Sequence, residues 1–189
     1  MILIIDNYDS FTYNVYQYVG EFESDIVIEK NDRITVQKIR KMNCSHIIIS
    51  PGPGDPNEAG KSMNIIKNFY TSIPILGVCL GHQAIGEAFG CQIKKHSSIY
   101  HGKVSKIYHN KESKLYKNIP ESFNATRYHS LIISQQSFNN DLIVNAKLKD
   151  GTIMGIEHKN APLYGVQYHP ESIETIYGKK IIENFINIV

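Results

Sequence analysis

The run Ile75-Leu76-Gly77-Val78-Cys79-Leu80-Gly81-His82-Gln83 limits the fold more than any other stretch of the chain. A short apolar segment that reads as a buried strand passes through Gly-x-Cys-x-Gly straight into a segment of helical character. Such a junction belongs where a strand ends at the rim of a sheet and a helix packs back across it, which points to a layered α/β structure. The flanking residues agree. Ile2 to Ile5 reads as a short buried strand, and Phe11, Val15, Val19 and Phe22 recur at helical spacing behind Ser10, predicting a helix over 10–22 capped by that serine. Asp25 to Glu29 is a second strand, Thr35 to Lys41 a weaker helix, and His46 to Ile49 a third strand. Ser62 to Tyr70 reads as helix, Ile75 to Val78 as a fourth strand and Leu80 to Phe89 as a further helix. This alternation predicts an open, largely parallel twisted sheet with helices on both faces. From Gln92 to Gln167 the pattern becomes short Val-, Ile- and Tyr-rich pieces broken by Gly, Asn, Asp and Ser, so additional β strands are expected there. A last amphipathic helix carries Ile182, Phe185, Ile186 and Val189 on one stripe.

The 189 residues show no internal repeat and no Gly/Ser linker, so 1–189 is expected to form one domain. Twenty Lys and Arg against 18 Asp and Glu give a net charge of +2 with no block of one sign. That balance offers no electrostatic footprint for nucleic acid or an anionic membrane, and favours a small substrate or a protein partner. No apolar run approaches the ~18 residues of a membrane-spanning helix. Met1 to Ile5 stops at Asp6 without a basic leader or cleavage site, so no signal peptide is expected. Three cysteines, Cys44, Cys79 and Cys91, cannot all pair, which suits a reducing compartment: the cytoplasm, or the plastid stroma for an organelle-encoded chain.

Cys79 stands apart from the other two. The tight turn should lift its side chain clear of the sheet, and Gly77 and Gly81 let neighbouring backbone pass close by. The following helix should point its unpaired N–H groups at the sulfur, favouring the thiolate over the thiol, with the Leu80 N–H placed to receive an oxyanion. The opposing reading is a small core hydrophobe, which is how most free cysteines behave and how Cys44 and Cys91 read here. A nucleophile needs a base, and of eight histidines only His169 has a carboxylate held in fixed relation to it. Tyr164 to Ser172 places His169 at the end of an apolar run, with Glu171 two residues on across Pro170, whose ring restricts both its own φ and the backbone of His169.

Weaker signals lead elsewhere. Gly54 to Ser62 looks like a phosphate-binding loop, but five residues separate its glycines, Pro56 removes an amide, and Asp55 and Glu58 would repel phosphate. Cys79-x-x-His82 could be half of a zinc site, yet no second pair at suitable spacing follows; His82 reads instead as a packed or hydrogen-bonded helix residue, and no metal site is expected.

Three segments together resemble the class I, triad-type glutamine amidotransferases: Ser50-Pro51-Gly52-Pro53-Gly54, Gly77 to Gln83, and Val166 to Ser172. Asp6 to Asn14, His101-Gly102-Lys103 and Arg127-Tyr128-His129-Ser130-Leu131 narrow the likeness to the free-standing glutaminase components of anthranilate synthase and aminodeoxychorismate synthase. The resemblance implies a flavodoxin-like fold and a Cys79–His169–Glu171 triad. It also implies an oxyanion hole from the N–H groups of Leu80 and Gly54, and L-glutamine held by Gly52, Pro53, Gly54, Gln83, Ser130 and Leu131. It further implies no cofactor in this chain and a separate chorismate-binding synthase subunit, which would hold magnesium and receive the ammonia. Anthranilate formation, toward tryptophan, is the favoured branch and aminodeoxychorismate formation, toward folate, the alternative, with one chain serving both a third possibility. A cysteine hydrolase or a non-catalytic regulatory module is the remote competitor.

Overall fold

The computed structural model describes residues 1–96 and 100–189. Strands β1 (Ile2–Asp6), β2 (Ile26–Lys30), β3 (His46–Ile49) and β4 (Ile75–Val78) alternate with helices α1 (Thr12–Gly20), α2 (Val36–Met42), α3 (Ser62–Phe69) and α4 (Leu80–Ala88). The second half supplies β5 (Ile93–Lys95), β6 (Lys103–His109), β7 (Ser122–Arg127), β8 (Leu131–Ile133), β9 (Leu142–Lys147), β10 (Ile153–His158) and β11 (Leu163–Val166) before α5 (Gly178–Ile186). One sheet has the order β2-β1-β3-β4-β11-β10-β9-β6-β7, and β5 pairs with β8 in a separate antiparallel ribbon. Strands β2, β1, β3, β4 and β11 run parallel, and the strands from β10 outward are antiparallel. Both expectations for the sheet therefore hold: a parallel half, and further strands added from the second half of the chain.

Side chains alternate between two cores, as strand geometry requires. Ile2, Ile4, Ile48, Leu76 and Val78 face α1 and α5 through Val15, Val19, Ile181, Ile182 and Phe185. Leu3, Ile5, Ile47, Ile49 and Ile75 face α2, α3 and α4 through Ile39, Ile65, Ile66, Phe69, Ala84 and Ile85. Covered on both faces, the central strands read as unbroken apolar runs rather than as an alternation.

Two helix ends differ from expectation. Helix α1 begins at Thr12 with Phe11 as its N-cap and no side-chain cap, so Ser10 does not cap it, and Phe22 lies beyond its end and is exposed. The reason is the loop after β1. Asp6 Oδ1 accepts from the Tyr8 N–H (2.8 Å), the Asp9 N–H (3.3 Å) and Thr12 Oγ1 (2.9 Å), while Asp9 Oδ1 accepts from the Phe11 N–H (2.7 Å). These bonds hold residues 7–11 in a turn, with Tyr8 at φ 62°, so helical geometry starts only afterwards. At the other terminus α5 stops at Ile186. Val189 is fully exposed rather than part of the apolar stripe, which Ile182 and Phe185 do occupy.

Candidate active site

Beyond the C-terminal ends of β1, β3, β4 and β11 the loops converge, the region of an open parallel sheet where ligands bind. Chain order reverses here: β1 is followed by β2 on one side and by β3 on the other. The loop after β3 is tied to the loop after β1 by Asn7. Its N–H donates to Ser50 Oγ (2.9 Å) and its Nδ2 to the Ser50 carbonyl (2.8 Å), while its Oδ1 accepts from Asn31 Nδ2 (2.9 Å) and Ser62 Oγ (3.1 Å). Asp6 anchors the same corner through Lys30 (2.5 Å). Burial alone would resist ionisation of Asp6, but Lys30, Thr12 and the Asp9 N–H together hold its carboxyl below the ordinary value.

Cys79 follows β4 and is the N-cap of α4, with φ 51° and ψ −98°. This conformation lies near the γ-turn region that L-residues rarely occupy, so strain is stored at the sulfur-bearing residue. The turn closes because its flanking residues lack side chains. A Cβ on Gly77 would overlap the Gly81 carbonyl group, and one on Gly81 would sit 2.5 Å from the Ile49 carbonyl oxygen. Cys79 donates its own N–H to the Val166 carbonyl (2.8 Å), which binds the turn to β11, and its carbonyl accepts from the Gln83 N–H (3.1 Å). Leu80 opens α4, so its N–H is among those without an acceptor inside the helix.

β11 leads to the other polar groups. His169 Nδ1 lies 2.6 Å from Glu171 Oε1, and both side chains are buried. The His169 N–H donates to the Thr126 carbonyl (3.0 Å), its carbonyl accepts from Thr175 Oγ1 (2.7 Å), and Phe11 and Tyr128 pack edge-on against the ring at 5.4 and 5.0 Å. Burial pushes the imidazole pKa down, but the Glu171 carboxylate and the neighbouring Cys79 sulfur outweigh it and hold the value well above normal. Its Nε2 is buried without a partner of good hydrogen-bond geometry, leaving that nitrogen available on the Cys79 side.

A cavity of about 160 Å³ opens beside the sulfur, lined by Gly52, Pro53, Gly54, Cys79, Leu80, Gln83, Tyr128, His129, Ser130 and Leu131. Every residue expected to hold substrate or an oxyanion is therefore on one wall or another. His169 and Glu171 stand behind Cys79 rather than in the lining. The sequence reading gave no role to Phe11, Tyr128, His129 or Gln167. Arg127 Nε donates to His129 Nε2 (3.0 Å), so His129 must carry its proton on Nδ1 and donate to the Leu131 carbonyl (3.0 Å). Burial first and Arg127 second push the His129 pKa down to about 3, keeping the imidazole neutral. Gln167 is fully buried against Cys79; the signal for it in the sequence was a polar residue at the end of the otherwise apolar β11 run. His82 is packed on α4, and Cys44 and Cys91 are unpaired and away from the cavity lining. Among the described residues, no group of three or more His, Cys, Asp or Glu is arranged for a metal ion, and no helix is long and apolar enough to cross a membrane.

Known proteins are similar to this chain along almost its whole length. The chain is 51% identical over 99% of its length to the bifunctional protein TrpGD of Thermotoga maritima, of which it spans 32%. It is 50% identical to anthranilate synthase component 2 of Cyanophora paradoxa, covering 99% of this chain and 98% of that one. It is also 46% identical to the aminodeoxychorismate/anthranilate synthase component 2 of Bacillus subtilis, covering 98% and 95%. A solved Thermoplasma acidophilum structure, described as a candidate GMP synthase subunit, superimposes with a TM-score of 0.86 at 25% identity, covering 98% of this chain and 91% of that one. The family model for glutamine amidotransferase class-I matches residues 3–189, so the chain belongs to the class-I glutamine amidotransferases.

Proposed function

We propose that this chain is the glutaminase component of a chorismate-using synthase, releasing ammonia from L-glutamine through a thioester on Cys79 and passing it to the synthase subunit. The observation that carries the reading is the convergence of three features at one end of the sheet. They are a cysteine on a strained strand-to-helix turn, a buried His169–Glu171 pair behind it, and an uncharged cavity in front. About 160 Å³ suits one amino acid rather than a peptide or a nucleotide. Glutamine carries no net charge, which fits walls built from backbone amides and neutral side chains.

The Cys79 sulfur attacks the side-chain amide carbon, and the Leu80 and Gly54 N–H groups receive the charge that develops on oxygen. His169, held by Glu171, takes the Cys79 proton as the sulfur attacks and gives it to the departing nitrogen, so ammonia leaves and a γ-glutamyl thioester remains. Water activated by His169 then attacks the thioester carbon, expelling the sulfur and giving glutamate. Gly52, Pro53, Gly54, Gln83, Ser130 and Leu131 hold the substrate. No cofactor takes part in these steps; magnesium belongs with the acceptor chemistry on the partner subunit. The names of the Cyanophora and Bacillus relatives support the partner class; the first favours anthranilate formation, and the second, which names both synthases, supports the alternative of aminodeoxychorismate formation or one chain shared by both.

The test mixes the purified chain with chorismate and its synthase partner and measures glutamate release. Stimulation by the synthase is expected, and Cys79→Ser should lose glutamine-dependent synthesis while keeping synthesis from added ammonia. Glutamate release indifferent to the synthase, or loss of both activities in an intact complex, would overturn the reading.

A further inference from the structure

Of the buried polar side chains that the steps above leave unused, Gln167 is the one hydrogen-bonded to the reacting sulfur. Gln167 directly follows β11, is 0% exposed, and has Nε2 at 3.6 Å from Cys79 Sγ. The direction of its amide follows from a group that has no choice. The Leu131 carbonyl can only accept, so the Gln83 atom 3.1 Å from it is the amide nitrogen. That nitrogen also lies 3.1 Å from the Gln167 side chain, so the atom facing it is Oε1, and the NH₂ end of Gln167 is left facing the sulfur. His129 fixes the start of this relay by donating to the same Leu131 carbonyl (3.0 Å).

From this relay we propose that Gln167 is a further catalytic residue: its amide N–H stabilises the Cys79 thiolate and aims the sulfur at the substrate carbon. The proposal rests on Cys79 being the nucleophile. A neutral thiol is a weak acceptor, whereas a thiolate takes a charge-assisted hydrogen bond, so the donor favours the charged form. The preference acts twice. It raises the thiolate fraction before attack, and it stabilises the sulfur again when water expels it from the thioester. The second effect matters because a more stable thiolate is also a weaker nucleophile, which offsets part of the gain in the first step. The titratable groups around the sulfur are His169 with Glu171 behind it, Tyr128 and His129 across the cavity, and His82 on α4. The Gln167 side chain is hydrogen-bonded to none of them; its partners are Gln83 and Cys79.

The test uses Gln167→Met, which keeps length and apolar packing but has no donor, and Gln167→Glu, which can still accept from Gln83 yet turns a carboxylate oxygen toward the sulfur. Each is alkylated with iodoacetamide across a pH series and assayed for glutamate release with the synthase subunit; thermal melts report folding. For Gln167→Met the pH at which alkylation reaches half its plateau rate should rise by about one unit, the size expected for one charge-assisted hydrogen bond. Its kcat should fall about tenfold, a larger change than that in KM for glutamine, which reports only the lost contact to Gln83. Gln167→Glu should move the alkylation midpoint further in the same direction, and it decides the matter if Gln167→Met does not fold. An unchanged midpoint in a folded variant, with wild-type protein turning over glutamine, overturns the role of Gln167 alone. Wild-type protein that releases no glutamate with the synthase, and whose Cys79 resists a glutamine-like diazoketone, overturns the glutaminase reading and this role with it.

Discussion

Lowering the pH from about 7.5 to about 5 should cost this protein about 2 kcal/mol of stability through one side chain, His82. The imidazole sits on α4 at 0% exposure, and neither ring nitrogen has a hydrogen-bond partner of good geometry. It packs against β11 where Gly165 leaves room; a Cβ there would lie 2.9 Å from His82 Nδ1. Burial pushes its pKa down to about 3, with the Gly165 backbone restoring only part. In the unfolded chain the group titrates near its ordinary value of about 6.5. Between those values the unfolded state binds the proton and the folded state does not, so stability falls as pH drops through about 6.5. At about pH 5 the gap is roughly one and a half pH units at about 1.4 kcal/mol each, giving about 2 kcal/mol, and the result barely changes if the folded value is a unit higher. Other groups titrate in the same range, so the measurement is a difference. Urea unfolding followed by far-ultraviolet circular dichroism is compared for wild type and His82→Gln at both pH values. The stability of wild type relative to the variant should drop by about 2 kcal/mol at the lower pH, whatever the offset at the higher one. A relative stability that does not change with pH would mean that His82 protonates freely in the folded protein, and the burial argument would fail.

Two further outcomes follow from the site. Glu171→Gln should lower kcat at least about a hundredfold, since His169 loses both its orienter and the charge that favours its protonated form. Because the folded-state pKa of His169 is raised, its stabilising contribution is complete below about pH 6.5 and fades as the pH rises through the folded value, so the wild-type advantage over Glu171→Gln should shrink in alkaline buffer; an advantage that grows there would contradict the assignment. Gly81→Ala should lower stability by about 2 kcal/mol, or roughly 5 °C in melting temperature, because the new methyl meets the Ile49 carbonyl and not a flexible side chain. Unchanged melting would show that the turn can open without cost.

The sheet was legible wherever burial forced an unbroken apolar run. His46–Ile49 and Ile75–Val78 appear with the limits expected, because each ends where its chain leaves a fully covered sheet position for a turn. The start of α1 was not legible, since the competition there is decided by Asp6, a residue six positions away whose carboxylate gathers the loop before any helix can form. The apolar stripe misled at Val189 for a related reason. Periodicity continues past the last helical hydrogen bond, but Val189 has no sheet to face.

The site divides along the same line. Cys79, His169 and Glu171 were readable because local backbone chemistry marks them: glycines on either side of the cysteine, and a proline between the base and its carboxylate. Gln167 was not, because its partners Cys79 and Gln83 lie 88 and 84 positions away in the chain. Nor was His129, whose partners are the Arg127 Nε–H and a backbone carbonyl that any residue could supply. What links the two sets is the Leu131 carbonyl, which accepts from both Gln83 and His129. Through Gln83 it orients Gln167 and hence the sulfur, and Gln83 and Leu131 themselves line the cavity. A substrate that displaces Gln83 from that carbonyl would release the Gln167 amide from its present direction, so the donor at Cys79 and the wall that receives substrate are one hydrogen-bonded unit. Substitutions at Gln83 and Gln167 should accordingly be non-additive, as expected for side chains that share a hydrogen bond.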